Sequence, residues 1–331
     1  MPVDDDLRGA LERLLQRPVR GLQRSPHPYV SSHAIEDVNV MFERGAPLAL
    51  VIKDVLRPRM EAIAAKPGRL LDPAREIEAY QHALAPSGLD VPVCYGTIEQ
   101  PGRHWLILEA VEGVPLWQAD ETGTWDAAAA WLAGLHARRL PARRGHLLRY
   151  DAAYLRPWLR RATALLPGGA LDELSAVWER AVRRLAAWPR SIVHGDFYPS
   201  NILVQELTGA PRVRPVDWEL AGVGPGLLDL AAITSGSWEA DERDRIACAY
   251  HRALPLAIRP RRADLLDALK HCRLLIAVQW LGWSSDWSAP AEHAHDWLSD
   301  AIAIARELRP RPARAPSSRR LGEPQRHAVR R

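Results

Sequence analysis

The chain has 331 residues, 47% of them hydrophobic and 25% charged, which is enough apolar side chain for a large core and excludes a disordered or fibrous polymer. No apolar run approaches the roughly 20 residues of a membrane span, and the start MPVDDDLRGALERLL is acidic rather than signal-like, so a cytoplasmic location with no membrane partner is expected. The formal charge of +4 arises at the C-terminal end, where eight Arg and one Glu from Arg309 to Arg331 carry +7 and leave the body at −3; this tail, 309–331, reads as disordered, and no nucleic-acid partner is expected.

From Asp4 to Gln16, Leu7, Leu11, Leu14 and Leu15 fall on one face after an acidic start, the pattern of a short amphipathic helix. A strand around Gly21-Leu22-Gln23 follows, then a glycine-free loop from Ser25 to Ser32. The alternating run Ile35, Val38, Val40, Phe42 turns at Glu43-Arg44-Gly45 into a strand from Leu48 to Asp54, closed by Lys53. Lys53 is one of only three lysines, with Lys66 and Lys270, among 44 Lys and Arg, so its compact ammonium departs from the chain's habit. A helix from Pro73 to Leu84 carries Glu76 and Glu78. Two strands, Pro92 to Glu99 and His104 to Ala110, meet at a Pro101-Gly102-Arg103 turn. Beyond them the chain turns helical, with elements over Trp125 to Arg138, Asp151 to Leu165 and Leu171 to Trp188. Cys94, Cys248 and Cys272 lack metal-ligand spacing and read as reduced structural thiols.

The chemistry concentrates between Ser191 and Leu220, SIVHGDFYPSNILVQELTGAPRVRPVDWEL. Asp196, Asn201 and Asp217 each sit at the end of a short apolar run: Ile192-Val193 leads into His194-Gly195-Asp196, Ile202-Leu203-Val204 follows Asn201, and Val213 to Val216 leads into Asp217. The order strand, turn, strand, turn, strand would gather the three polar groups. Phosphoryl transfer from a nucleotide to a hydroxyl needs such a set: a carboxylate that orients the acceptor and takes its proton, and oxygen ligands that hold Mg²⁺ against the phosphates. Gly224-Pro225-Gly226 then breaks the chain, Asp229 opens a helix, and helices over Ala240 to Leu254, Arg262 to Ser284 and Ala291 to Leu308 follow. Trp280, Trp283, Trp287 and Trp297 gather there with Asp286, His293, His295 and Asp296, which suits either a core or a wall for a cationic or sugar-like acceptor.

The run His194, Gly195, Asp196, Pro199, Asn201, then Asp217, resembles the catalytic segment of the aminoglycoside phosphotransferase and choline kinase family, relatives of the protein kinases; a weaker resemblance extends over about 20–305. It implies an α+β, protein-kinase-like bilobal fold: an N-lobe over 1–110 with an antiparallel sheet and one helix, and a helical C-lobe over 111–308. It implies an ATP-dependent, Mg²⁺-dependent transfer of the γ-phosphoryl group to a hydroxyl of a small molecule. Asp196 would be the base, Asn201 and Asp217 the metal ligands, and Lys53 the phosphate anchor paired with Glu76 in preference to Glu78. Backbone groups of Glu109 and Val111 would meet the base at the hinge, and Ser31 and Ser32 would cover the phosphates in place of a Gly-rich loop. Asp229 would support the catalytic loop from below, and His136 would be buried and structural. The family's usual His two positions after the catalytic Asp is Tyr198 here, a departure on the acceptor side.

Overall fold

The alternating apolar residues of the first hundred positions build a sheet with two differently used faces. In the computed structural model, which describes residues 2–309 apart from 30–31, 61–62, 64–65, 86–87, 120–121, 206–208, 210 and 284–294, α1 (Pro2–Leu15) precedes strands β1 (Val19–Pro26), β2 (His33–Phe42) and β3 (Leu48–Pro58). After α2 (Pro73–Glu78) come β4 (Cys94–Gln100) and β5 (Arg103–Glu109), completing a five-stranded antiparallel sheet in the order β1-β2-β3-β5-β4. Successive side chains of a strand point to opposite faces. Leu50 and Ile52 therefore join Leu7 and Leu11 of α1 in one small core, while Val51 and Val55 face the other way, toward the main core. Lys53 shares the parity of Val51 and Val55, and that parity aims its ammonium at the interior cleft. Lys53 does not close the strand, as its position suggested; β3 runs on to Pro58, because its pairing with β2 continues to His33 across a bulge.

Asp72 caps α2 by accepting from the Ala74 N–H at 3.0 Å, with Pro73 at the first helical position. The helix then widens into a π-helical segment over Ala79–Leu84. Tyr80, Ala83 and Leu84 of that segment are buried in the main core with Leu106 and Leu108 of β5.

The C-terminal region is mostly helical. It contains β6 (Val114–Pro115), α3 (Thr122–His136), β7 (Leu148–Arg149), α4 (Ala152–Leu155), α5 (Pro157–Ala162), α6 (Gly168–Ala186), β8 (Arg190–Val193), β9 (Ile202–Gln205), β10 (Arg212–Pro215), β11 (Gly222–Pro225), α7 (Leu227–Ile233), α8 (Ala240–Ala253), α9 (Arg262–Leu281) and α10 (Trp297–Leu308). Pro157 divides the single helix expected over Asp151 to Leu165 into α4 and α5.

The strands of the 191–220 stretch pair differently from the expected run of three. β9 and β10 form a hairpin joined by β6, whereas β8 pairs with β11 in a second small sheet, β7-β11-β8. The Gly224-Pro225-Gly226 break is in part a strand, β11. A Cβ on Gly222 would lie 2.6 Å from the Leu148 carbonyl oxygen and one on Gly224 would lie 2.4 Å from Tyr150 Cβ. Glycine lets β11 close against the β7 segment and Tyr150, a contact that hydrophobic patterning does not register.

Candidate active site

β8 delivers His194-Gly195-Asp196 to the cleft, and Asp229 of α7 fixes the turn. The His194 N–H donates to Asp229 Oδ2 at 2.7 Å and the Gly195 N–H to Asp229 Oδ1 at 2.9 Å. Gly195 has φ +85, and a Cβ there would lie 2.0 Å from the Tyr150 hydroxyl and 2.4 Å from the Leu220 carbonyl oxygen, so glycine is required. His194 is fully buried, and burial pushes its pKa down. The neutral ring donates from Nε2 to the Val216 carbonyl at 3.0 Å and accepts the Asp196 N–H on Nδ1 at 3.3 Å. One imidazole thus ties the Asp196 turn to the end of the β9–β10 hairpin. Buried His136 lies beneath, with Nε2 3.3 Å from Asp229 Oδ2 and Nδ1 2.9 Å from the Tyr250 hydroxyl.

Because Asp229 accepts from one buried and one part-buried backbone N–H and contacts His136, Asp229→Ala leaves several polar groups without a partner. Its unfolding free energy in urea should be lower by about 3 kcal/mol or more, with little change in the denaturant slope.

The hairpin holds the other two members of the trio. Asn201 donates from Nδ2 to Asp196 Oδ2 at 2.9 Å and to the Asp196 carbonyl at 3.0 Å, and the Asn201 carbonyl accepts the Val216 N–H at 2.9 Å. Asp217 follows with φ +64, a left-handed conformation that is uncommon for a non-glycine residue and that here turns its carboxylate into the cleft. Lys53 Nζ lies 2.6 Å from Asp217 Oδ1 and 2.6 Å from Glu76 Oε2, and Glu76 Oε1 accepts the Trp218 N–H at 3.1 Å. Glu78 points elsewhere, toward the His146 N–H. Burial disfavours the Lys53 ammonium, but Asp217, Glu76 and Glu219 outweigh it and raise its pKa well above the ordinary lysine value. Burial, reinforced by Asp217 and Glu219 and opposed by Lys66 and Asn201, pushes the Asp196 carboxyl up to about 7.

Asp196, Asn201, Asp217, Lys53 and Glu76 all line one cleft of ≈ 880 Å³ that also reaches Glu109 and Val111. The Glu109 carboxylate is held by Arg214 at 2.6 and 2.5 Å, and the Glu109 N–H donates to the Val93 carbonyl at 2.9 Å. Val111 lies beyond the end of β5, and its backbone groups have no hydrogen-bond partner among the described residues. Ser31 lies outside the described residues. Ser32 is at the cleft, but its hydroxyl is committed to Glu219 Oε1 at 2.7 Å.

Sequence reasoning passed over Glu219, Lys66 and Arg75. Glu219 is buried, 3.4 Å from His33 Nδ1 and 4.0 Å from Lys53, and it is contacted by Lys66 Nζ, which also reaches the Ser32 hydroxyl. Burial would raise the Glu219 carboxyl, yet Lys66, His33 and Lys53 hold it well below the usual carboxylate range. The alternation of Asp217, Trp218 and Glu219, with acid, buried ring and acid in succession, is a signal that could have found it. Arg75 is also buried; it donates to the carbonyls of Leu70, Arg69, His146 and Glu219 at 2.9 to 3.0 Å.

On the opposite wall the Tyr198 hydroxyl accepts from Trp280 Nε1 at 2.7 Å, and Trp280 stacks on Trp297 with centroids 5.2 Å apart. Trp283 lines the cleft as well and meets Trp158 at 5.4 Å. Trp287, Asp286 and His293, expected in the same wall, lie outside the described residues, as does the tail from 310 onward.

As a possible cation site, the cleft offers hard oxygen donors. The Asn201 amide donates from Nδ2 to Asp196, which leaves Oδ1 for a metal, and Asp217 has Oδ2 beyond its contact with Lys53. Among the described residues no group of three or more His, Cys, Asp or Glu could hold a metal ion. Two oxygen ligands fit a divalent cation that takes its remaining coordination from phosphate and water.

The model of a family described as "Phosphotransferase enzyme family" matches residues 49–266, most of the chain, including Lys53, Glu76, Asp196, Asn201 and Asp217. The chain belongs to the phosphotransferase enzyme family. No curated protein matches this phosphotransferase. Among solved structures, it is similar to a putative aminoglycoside phosphotransferase from Ralstonia eutropha, at TM-score 0.59 and 19% identity over 90% of this chain and 98% of that one. It is also similar to an aminoglycoside phosphotransferase in complex with GDP and kanamycin (TM-score 0.58, 11% identity, 92% and 98% covered). A third likeness is to a microcompartment-associated aminopropanol kinase (TM-score 0.56, 15% identity, 90% and 94% covered). The shared feature is the fold: the α+β, protein-kinase-like arrangement of an antiparallel N-terminal sheet and a helical C-terminal region. Among the described residues no helix is long and apolar enough to cross a membrane.

Proposed function

We propose that this phosphotransferase moves the γ-phosphoryl group of ATP, with Mg²⁺, to a hydroxyl of a small molecule. The observation that carries the reading is the convergence of Asp196, Asn201, Asp217 and the Lys53–Glu76 pair on one cleft, although they come from β3, α2, β8 and the β9–β10 hairpin. The acceptor oxygen forms a bond to phosphorus as the bond from phosphorus to the β,γ-bridging oxygen breaks, the hydroxyl proton passes to the Asp196 carboxylate, and ADP leaves with the electron pair. Asn201 and Asp217 would hold Mg²⁺, which when bound neutralises charge on the phosphates. Lys53, braced by Glu76, anchors the phosphates, and Val111 beyond β5 meets the base. The N-lobe is 1–110 and the C-lobe 111–308, with the 309–331 extension outside both, and the cleft lies between the lobes.

Tyr198, Trp280 and Trp283 give the acceptor side an aromatic wall, which suits a sugar-, aminoglycoside- or amino-alcohol-like substrate. Purified protein incubated with Mg²⁺ and ATP against a library of hydroxyl compounds should yield a phosphorylated product by mass; a library spanning all three classes that gives none, with no ADP formed, would refute the proposal.

The environment of Asp196 predicts the pH dependence. A carboxyl pushed up to about 7 is protonated below that pH and cannot accept the acceptor proton. The kcat/KM of the parent should therefore climb about tenfold per pH unit on the acid side and level off above about 7. A profile already flat from pH 5 upward would show that another group is the base.

A further inference from the structure

Lys53 cannot carry the phosphates alone. Its ammonium sits between Asp217 and Glu76, 2.6 Å from each, and its side chain is only 3% exposed. A nucleotide triphosphate whose phosphates approach Lys53 meets four carboxylates there, those of Glu76, Asp217, Asp196 and Glu219, and positive charge near its terminal phosphate is needed. Among its described residues the connection between β1 and β2 holds no Lys or Arg, and the Ser32 hydroxyl is committed to Glu219. The connection between β3 and α2 brings two cations to the cleft, Arg59 and Lys66, and Lys66 is the one in contact with Glu219. Lys66 lies in that connection, lines the cleft, and contacts both Glu219 and Ser32. Its charge is felt by Asp196 and by Asp217, which places it beside the proposed base and metal ligand rather than on the outer rim.

Lys66 differs from Lys53 in being releasable. Its side chain is 16% exposed, against 3% for Lys53. Glu219 keeps Ser32 at 2.7 Å, His33 at 3.4 Å and Lys53 at 4.0 Å when Lys66 turns away. Exchanging one anionic partner for another costs the ammonium little, because a phosphate oxygen offers the same charge-assisted bond as the carboxylate.

We propose that Lys66 is a second phosphate-binding cation, delivered from the β3–α2 connection, that leaves Glu219 to contact the terminal phosphate of the nucleotide and stays with that group as it is transferred; this rests on the function proposed above. Lys66 forms and breaks no covalent bond and takes no proton. The phosphorus–oxygen bonds change as already described, and Lys66 offsets charge on the oxygens of the moving group.

The test is the affinity of the full chain, by calorimetry with Mg²⁺, for the β,γ-imido analogue of ATP, for ADP and for adenosine, in the parent, Lys66→Met and Lys66→Arg. Lys66→Met should weaken binding of the triphosphate analogue about tenfold while changing ADP less and adenosine hardly at all, and Lys66→Arg should restore most of the difference. Turnover in Lys66→Met should fall by about 10²-fold. If Lys66 only props Glu219, all three ligands weaken together and the ratio of triphosphate to diphosphate affinity is unchanged, which overturns the inference. A parent that binds the nucleotides, with a variant that binds them equally well, overturns this inference alone; a parent that binds none of them overturns the proposed function and this with it.

Discussion

Asp217→Ala should reduce phosphoryl transfer by at least about 10³-fold, several kcal/mol of barrier, and should weaken nucleotide binding only when Mg²⁺ is present. The carboxylate has two proposed duties in the cleft: Oδ1 accepts from Lys53 at 2.6 Å, and Oδ2 is available to a metal together with Asn201 Oδ1. Removing it should cost little stability in the absence of nucleotide. Lys53 retains Glu76 at 2.6 Å, so no buried ammonium is left unpaired. One of four crowded carboxylates also disappears. The melting temperature of the nucleotide-free variant should move no more than for an ordinary surface substitution, equivalent to about 0.5 kcal/mol. Titrating Mg²⁺ against nucleotide affinity decides the matter: a variant whose dependence on Mg²⁺ equals that of the parent shows that Asp217 is not a metal ligand.

Asp196→Asn should lower turnover by ~10²- to 10⁴-fold, about 3 to 5 kcal/mol of barrier, while nucleotide affinity with Mg²⁺ changes far less. The substitution keeps the shape, and an asparagine oxygen can still accept from Asn201 Nδ2, which bonds Asp196 Oδ2 at 2.9 Å. What is lost is the group proposed to take the proton. The rise of kcat/KM toward pH 7 should vanish in the variant, because the group responsible for it no longer titrates. Comparable loss of nucleotide binding in Asp196→Asn and Asp217→Ala would make Asp196 a metal ligand instead, and transfer at the parental rate would mean that another base serves.

The trio was legible because each member sits against a short apolar run, and such runs become strands whatever their partners. Which strands pair with which was not legible. β8 turns away from the β9–β10 hairpin to pair with β11, and β11 closes on the β7 segment through the room that Gly222 and Gly224 leave for Leu148 and Tyr150, a fact about absent side chains. Lys53 stood out through the scarcity of lysine, and the same argument applied to Lys66. Lys66 was missed because its contacts, Ser32 and Glu219, are separated by 187 positions and neither lies on a periodic segment that points to the other. The choice of Glu76 over Glu78 follows in the structure from the face of α2 turned toward β3. Ser32 was read as a phosphate contact from its loop position, and the buried glutamate that claims its hydroxyl comes from the far side of the cleft.

Arg75 bears on how such an enzyme could be governed. In protein kinases the helix that carries the glutamate partner of the phosphate lysine is a moving part, and its displacement switches activity. Here the residue next to Glu76 on that helix inserts a buried guanidinium into four backbone carbonyls, two of which, from His146 and Glu219, belong to the catalytic half of the molecule. Swinging the helix outward would strand those donors and acceptors along with the Trp218 N–H that Glu76 holds. The Lys53–Glu76 pair is thus held by bonds that reach across to the far side of the cleft, and moving the helix that carries Glu76 would break them.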